Sequence, residues 1–145
     1  MRLSTHFTLD EATRSQTATR KGIDNMPTPE VIANLTEAAG EMEAVRELLG
    51  TPVIVSSWYR SAKLNAAIGG SSTSSHISGW AVDFSAPGFG TPLEVCKAIH
   101  ASTIKYDQLI YEGNWVHISF APDMRQIAMS ATFLGGRATY SMGIG

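Results

Sequence analysis

From Thr28 to Gly50 the apolar residues Val31, Leu35, Ala38, Met42, Val45 and Leu49 advance by alternating steps of four and three. That spacing is one stripe along an α-helix. Thr28 suits the N-cap, Pro29 fits the first helical position and Gly50 stops the run. Glu37, Glu41, Glu43, Arg46 and Glu47 take the other face. With only about three heptads available, this is a scaffold helix and not a coiled-coil partner. Two shorter helices are predicted ahead of it. Thr8-Leu9-Asp10-Glu11 has the form of a capping box and opens a helix from about residue 9. Ser15 caps a second, which ends near Gly22, and residues 22–27 form a connection.

Beyond Gly50 the period changes. Residues 52–56 are a β-branched run that reads as a buried strand. Ser61 caps a short helix over residues 62–68, stopped by Gly69-Gly70, and the serine-rich residues 69–75 read as a flexible loop. Residues 80–84 look like a strand, and Thr91-Pro92 opens a helix to about Ser102, with Leu93, Cys96, Ile99 and His100 near one face. Residues 108–112 and 115–120 flank Gly113-Asn114, a two-residue hairpin turn. Residues 127–133 and 137–142 complete the chain as edge strands. Helices first and antiparallel strands later predict an α+β domain, a small antiparallel sheet flanked by helices.

Composition narrows the class. A chain of 145 residues, 43% hydrophobic, suits one domain spanning residues 1–145. Eleven Lys plus Arg against thirteen Asp plus Glu give a net charge of −2, so nothing points to nucleic acid as a partner. No apolar run approaches the ~18–20 residues of a membrane helix, so no transmembrane segment is expected. The single cysteine excludes an intrachain disulfide and a cysteine-based zinc knuckle. Cys96 itself reads as a buried small hydrophobe. The chemistry therefore falls to His, carboxylate and hydroxyl groups.

His76, Asp83 and His117 are the candidate metal ligands. In an extended strand over residues 80–84, Ala81 and Asp83 share a face. Gly79 permits a bend that returns His76 over that face, and Ala81 is too small to block it. Two imidazoles and a carboxylate leave a tetrahedral zinc one position for water, the composition of a catalytic site. The hairpin supplies a fourth group. With Gly113-Asn114 as the turn, Glu112 lies opposite Trp115 and Ile110 opposite His117, all on one face. Glu112 is then diagonal to His117 at roughly 7–8 Å, where a general base belongs. Asp107 is the fallback carboxylate for that role. His6 and His100 are expected on surface or helix positions, away from the site.

These residues carry a resemblance. Ser74-Ser75-His76-Ile77-Ser78-Gly79-Trp80-Ala81-Val82-Asp83 has the pattern S-x-H-x-x-G-x-A-x-D, and Trp115-Val116-His117 supplies a later W-x-H. Together they resemble the zinc D-Ala-D-Ala carboxypeptidase and endolysin family of metallopeptidases, related to the zinc domain of hedgehog proteins. Tyr59-Arg60-Ser61 with Leu64-Asn65 is similar to the Y-R-S-x-x-L-N segment of a small single-domain branch found in many phage and prophage proteins. Phe7-Thr8-Leu9-Asp10-Glu11 and Gly22-Ile23-Asp24-Asn25 are similar to that branch as well, so most of the chain is covered.

The resemblance implies one zinc ion per chain, held by His76, Asp83 and His117. It also implies that Arg60 contacts a substrate carboxylate or the developing oxyanion, and that Ser74 helps hold the substrate or the loop. Several branches place the catalytic glutamate three residues before the last histidine. Here that position is Asn114, and Glu112 replaces it by hairpin geometry. Trp58, Tyr59, Trp80 or Trp115 offers an aromatic wall for a short peptide, with Trp115 beside the base. The implied activity is hydrolysis of a peptide bond in the peptidoglycan stem peptide, by a D-Ala-D-Ala carboxypeptidase or an endolysin-type endopeptidase. Asn114 keeps open a reading of another class, a zinc-containing binding or virion structural module without catalysis. Residues 1–6 carry no apolar stretch of signal-peptide type. The expectation is thus a monomer made in the cytoplasm that reaches the cell wall after release or as a virion component.

Overall fold

The helix starts form where the sequence places its caps. In the computed structural model, which describes all 145 residues, Thr8 and Glu11 exchange both bonds of a capping box at α1 (Leu9–Thr13). Ser15 caps α2 (Gln16–Lys21), and Thr28 with Pro29 opens α3 (Pro29–Leu49). Each cap gives a partner to an N–H that the first helical turn leaves without one. The stripe on α3 becomes the spine of the core. Leu35, Ala38, Met42, Val45 and Leu49 are buried, joined by Ala39, while Val31 at the start is only partly covered.

Six strands follow: β1 (Ile54–Ser57), β2 (Ala81–Ser85), β3 (Gln108–Tyr111), β4 (Val116–Ser119), β5 (Ile127–Leu134) and β6 (Arg137–Met142). They form one sheet in the order β1-β2-β4-β3-β5-β6. The short α4 (Ala62–Ala67) joins β1 to β2, and α5 (Pro92–His100) joins β2 to β3. The period of two along the central strands sorts the residues by face. Val82, Phe84, Leu109, Val116 and Ile118 join α3 and the Val95, Cys96 and Ile99 side of α5 in one core. Asp83, Ile110 and His117 are left facing away from that core, side by side in register. No helix is long and apolar enough to cross a membrane.

Two expectations need correction. The sheet is mixed, not antiparallel throughout, because β5 runs parallel to β3 with Ile127 beside Gln108. The far side of β4 is already taken by β2, so after β4 the chain must cross to the free edge of β3. It therefore returns parallel to β3. Arg125 anchors the crossing by gripping both carboxylate oxygens of Asp107, at 2.9 Å each. The second correction concerns β1, which is an edge strand and not a buried one. Ile54 is 54% exposed, and exposure alternates along the strand because only one of its faces is covered.

Candidate active site

The segment before β2 is held in a bend by Trp58. Its indole Nε1 donates to the Gly79 carbonyl at 2.9 Å, and its own carbonyl lies 2.6 Å from His76 Nδ1. Gly79 sits at φ +85°, a conformation that side chains other than glycine's rarely adopt. With Nδ1 committed to a carbonyl, the proton sits there and His76 Nε2 is left as a free electron-pair donor. That nitrogen lies 3.3 Å from Asp83 Oδ2. Pairing of β2 with β4 sets His117 directly beside Asp83, and His117 Nδ1 is 2.8 Å from Asp83 Oδ1.

His76, Asp83 and His117 thus present one ligand atom each within 4.8 Å of one another. Tetrahedral zinc with bonds of ~2.0–2.1 Å requires ligand atoms about 3.4 Å apart. The donor types and their convergence fit such an ion. The side chains of His76 and Asp83 are almost wholly buried, and that of His117 is 14% exposed. Burial alone would raise the Asp83 carboxyl, but the hydrogen bond from His117 and the nearness of the His76 imidazole more than offset it and hold the group well below the usual carboxylate range. The position is built to keep a negative charge.

Arg60 stands behind this centre. Its guanidinium contacts Asp83 Oδ2 at 3.3 Å, Asn65 Oδ1 at 3.3 Å and Ser57 Oγ at 3.0 Å. Asn65 in turn donates to the Ser71 carbonyl at 2.7 Å, which ties the serine loop to the same network. Burial lowers the guanidinium's proton affinity while Asp83 raises it. In this arrangement Arg60 braces Asp83, and it also lines the cleft into which the centre opens. Asn65 stood in the sequence only as the last residue of the Y-R-S-x-x-L-N segment, with no role attached to it.

The centre opens into a cleft of about 890 Å³ that also takes in Ser74, Glu112 and Trp115. The hairpin register is as expected, with Ile110 paired to His117 and the Glu112 N–H bonded to the Trp115 carbonyl at 3.1 Å. Burial raises the Glu112 carboxyl; the charge of His117 opposes the rise and that of Asp83 adds to it, with a net upward shift. Ser74 Oγ accepts from the His76 N–H at 3.2 Å, so it shapes the loop carrying the first imidazole. Of the four aromatic candidates only Trp115 lines the cleft. Trp58 and Tyr59 are buried in the core, and Trp80 packs against it.

The fallback carboxylate and the expected bystanders are engaged elsewhere. Asp107 is buried and paired with Arg125, a brace and not a base. His6 pairs with Glu43 on the surface, and His100 faces the Tyr106 hydroxyl. Cys96 is fully buried, and burial pushes its thiol up to about 12. Phe133 and Tyr140 also line the cleft. Sequence reasoning missed both, because only the parallel β3–β5 pairing carries their hairpin to this face.

A buried His–Asp–His cluster that could hold a metal ion thus lies beside a carboxylate in an open cleft. Residues 5–119 match the sequence profile of the peptidase M15 family, and the chain belongs to it. This is the zinc D-Ala-D-Ala carboxypeptidase type of family, zinc-dependent in general. No curated protein sequence matches the chain.

Proposed function

We propose that this protein is a zinc metallopeptidase that hydrolyses a peptide bond in the stem peptide of bacterial peptidoglycan, as a D-Ala-D-Ala carboxypeptidase or an endolysin-type endopeptidase. The observation that carries the reading is the convergence of His76, Asp83 and His117 at one end of a cleft that also contains Glu112. His76 through Nε2, Asp83 through its carboxylate and His117 through Nδ1 would hold the ion. When bound, zinc supplies Lewis acidity, polarising a carbonyl and making water a better nucleophile.

The chain's own residues do the rest. Glu112 accepts a proton from the attacking water as its oxygen bonds to the scissile carbonyl carbon. It then delivers that proton to the leaving nitrogen as the C–N bond breaks. A carboxyl raised by burial suits both halves of this task, since it binds the proton more firmly than an exposed glutamate does. Trp115, in the register position opposite Glu112, offers the flat wall against which a short peptide lies. Arg60 and the Trp58 carbonyl fix Asp83 and His76, so the ligands need little rearrangement.

Mass spectrometry of purified peptidoglycan incubated with the protein tests this directly. New muropeptide fragments are expected, absent with a metal chelator, and their masses identify the bond. Glu112→Gln is expected to keep its zinc and lose about 10²- to 10⁴-fold in turnover. An unchanged wall from folded, zinc-loaded protein would reject the enzymatic reading in favour of a zinc-containing binding module.

A further inference from the structure

Strand register places an aromatic hydroxyl across the cleft from the base. Tyr140 on β6 pairs directly with Ala131 on β5. The β3–β5 register runs to Tyr111 beside Ser130, so the next residue, Glu112, falls beside Ala131. Glu112, one residue past the end of β3, thus falls in line with Ala131 and Tyr140, on the face that carries Asp83 and His117. Neighbouring strands are about 4.8 Å apart, which puts the Tyr140 backbone roughly 10 Å from that of Glu112. Ala131 between them has no bulk to fill that span, and Tyr140 lines the cleft. Phe133 bounds the same end, its ring 3.6 Å from where a side chain on Gly113 would begin.

The donors of the cleft differ in how far they are engaged. Both of its arginines are held by internal carboxylates, Arg60 by Asp83 and Arg125 by Asp107. The Tyr140 hydroxyl has no partner within the protein. Burial, with the negative charges of Glu112 and Asp83, raises its phenol, so it remains a donor. Phe133 and Tyr140 both lie beyond the segment that matches the family, residues 5–119.

We propose that Tyr140 is a substrate-contacting residue, its hydroxyl donating to a backbone carbonyl in the leaving half of an extended peptide. The side of the cleft follows from the chemistry. Glu112 hands its proton to the leaving amine, and Tyr140 lies beyond Glu112 as seen from the metal ligands, so the chain after the scissile bond runs over Ala131 towards β6. An internal peptide bond, with neutral amides continuing past the cut, matches this uncharged donor. The proposal rests on the peptidase reading above and specifies its leaving-side subsite.

The test compares zinc-loaded wild type with Tyr140→Phe on two peptides carrying the bond identified from muropeptides. One continues for several residues past the cut, and the other ends one residue after it. Loss of the hydroxyl is expected to raise KM on the longer peptide by about three- to tenfold, the worth of one neutral hydrogen bond. The rise on the truncated peptide is expected to be at least threefold smaller than that. Ala131→Val keeps the hydroxyl but crowds the ring, and should show the same dependence on peptide length. Equal losses on both peptides in both variants, or no loss on either, would overturn the assignment of Tyr140 while leaving the peptidase reading intact. A wild type inactive on all wall peptides would overturn the peptidase reading and the subsite with it.

Discussion

Gly79→Ala puts a methyl group where the bend between His76 and β2 leaves no room. A Cβ at this position would meet Leu35 Cδ2 at 3.0 Å, Leu35 Cγ at 3.1 Å and Val31 Cγ1 at 3.2 Å. Leu35 is fully buried on α3 and has nowhere to retreat. Two effects add. The left-handed backbone at φ +85° costs alanine about 1–2 kcal/mol, and overpacking against α3 costs about 1–3 kcal/mol more. Gly22→Ala supplies the control. Gly22 has φ +64° and nothing within 4 Å of its would-be Cβ, so it carries only the first effect. Thermal and urea unfolding should be run on chelated protein, so that metal binding does not add its own stabilisation. Gly79→Ala is expected to lose about 2–5 kcal/mol in total, and Gly22→Ala about 1–2 kcal/mol. At roughly 2–4 °C per kcal/mol for a chain near this size, the two melting points should be well separated. The glycine variant at the bend should also bind zinc at least about tenfold more weakly, because the same segment presents His76. Equal destabilisation by the two variants would refute the claim that α3 packs too closely on the bend to admit a methyl group at Gly79.

Two further outcomes follow from the groups around the centre. Arg60→Met removes the guanidinium that steadies Asp83 and should weaken zinc binding by about 10- to 100-fold, measured by competition with a chromogenic chelator. A change of less than threefold would mean that Asn65, Ser57 and the histidines position Asp83 without it. Asp107 is held below the usual carboxylate range chiefly by its hydrogen bonds from Arg125. A lowered pKa in the folded state contributes stability that is present above the unfolded value near 4 and is lost as pH falls through the folded one. Asp107→Asn should therefore be less stable than wild type by about 1–2 kcal/mol at pH 7, a gap that closes below about pH 4. A gap that stays constant down to low pH would assign the loss to packing instead of charge.

The local signals in this chain were legible because they depend on near neighbours. Thr8, Ser15, Thr28, Ser61 and Thr91 each cap a helix start through their own side chains, and the stripe on α3 needs only the helical period. The two-residue turn at Gly113-Asn114 fixes the β3–β4 register, and with it the pairing of Ile110 to His117 and the placing of Glu112. Alternation along β2 fixes which face Asp83 takes. The candidate metal ligands and base were thus readable from patterns spanning a few residues, joined by one motif.

The remainder depended on which strand lies beside which. That choice is made by the whole sheet competing for free edges, and no local period encodes it. β2 occupies the outer side of β4, so β5 takes the edge of β3 and runs parallel to it, which brings Phe133 and Tyr140 to the cleft. The same competition leaves β1 at an edge with Ile54 exposed, although its composition suits a buried strand. Trp58 and Trp115 are the same residue type, yet one supports His76 from within the core while the other lines the cleft. Side-chain chemistry is a property of the residue. Its use depends on the neighbours that tertiary packing supplies, and for Arg60 those neighbours are Asp83, Asn65 and Ser57.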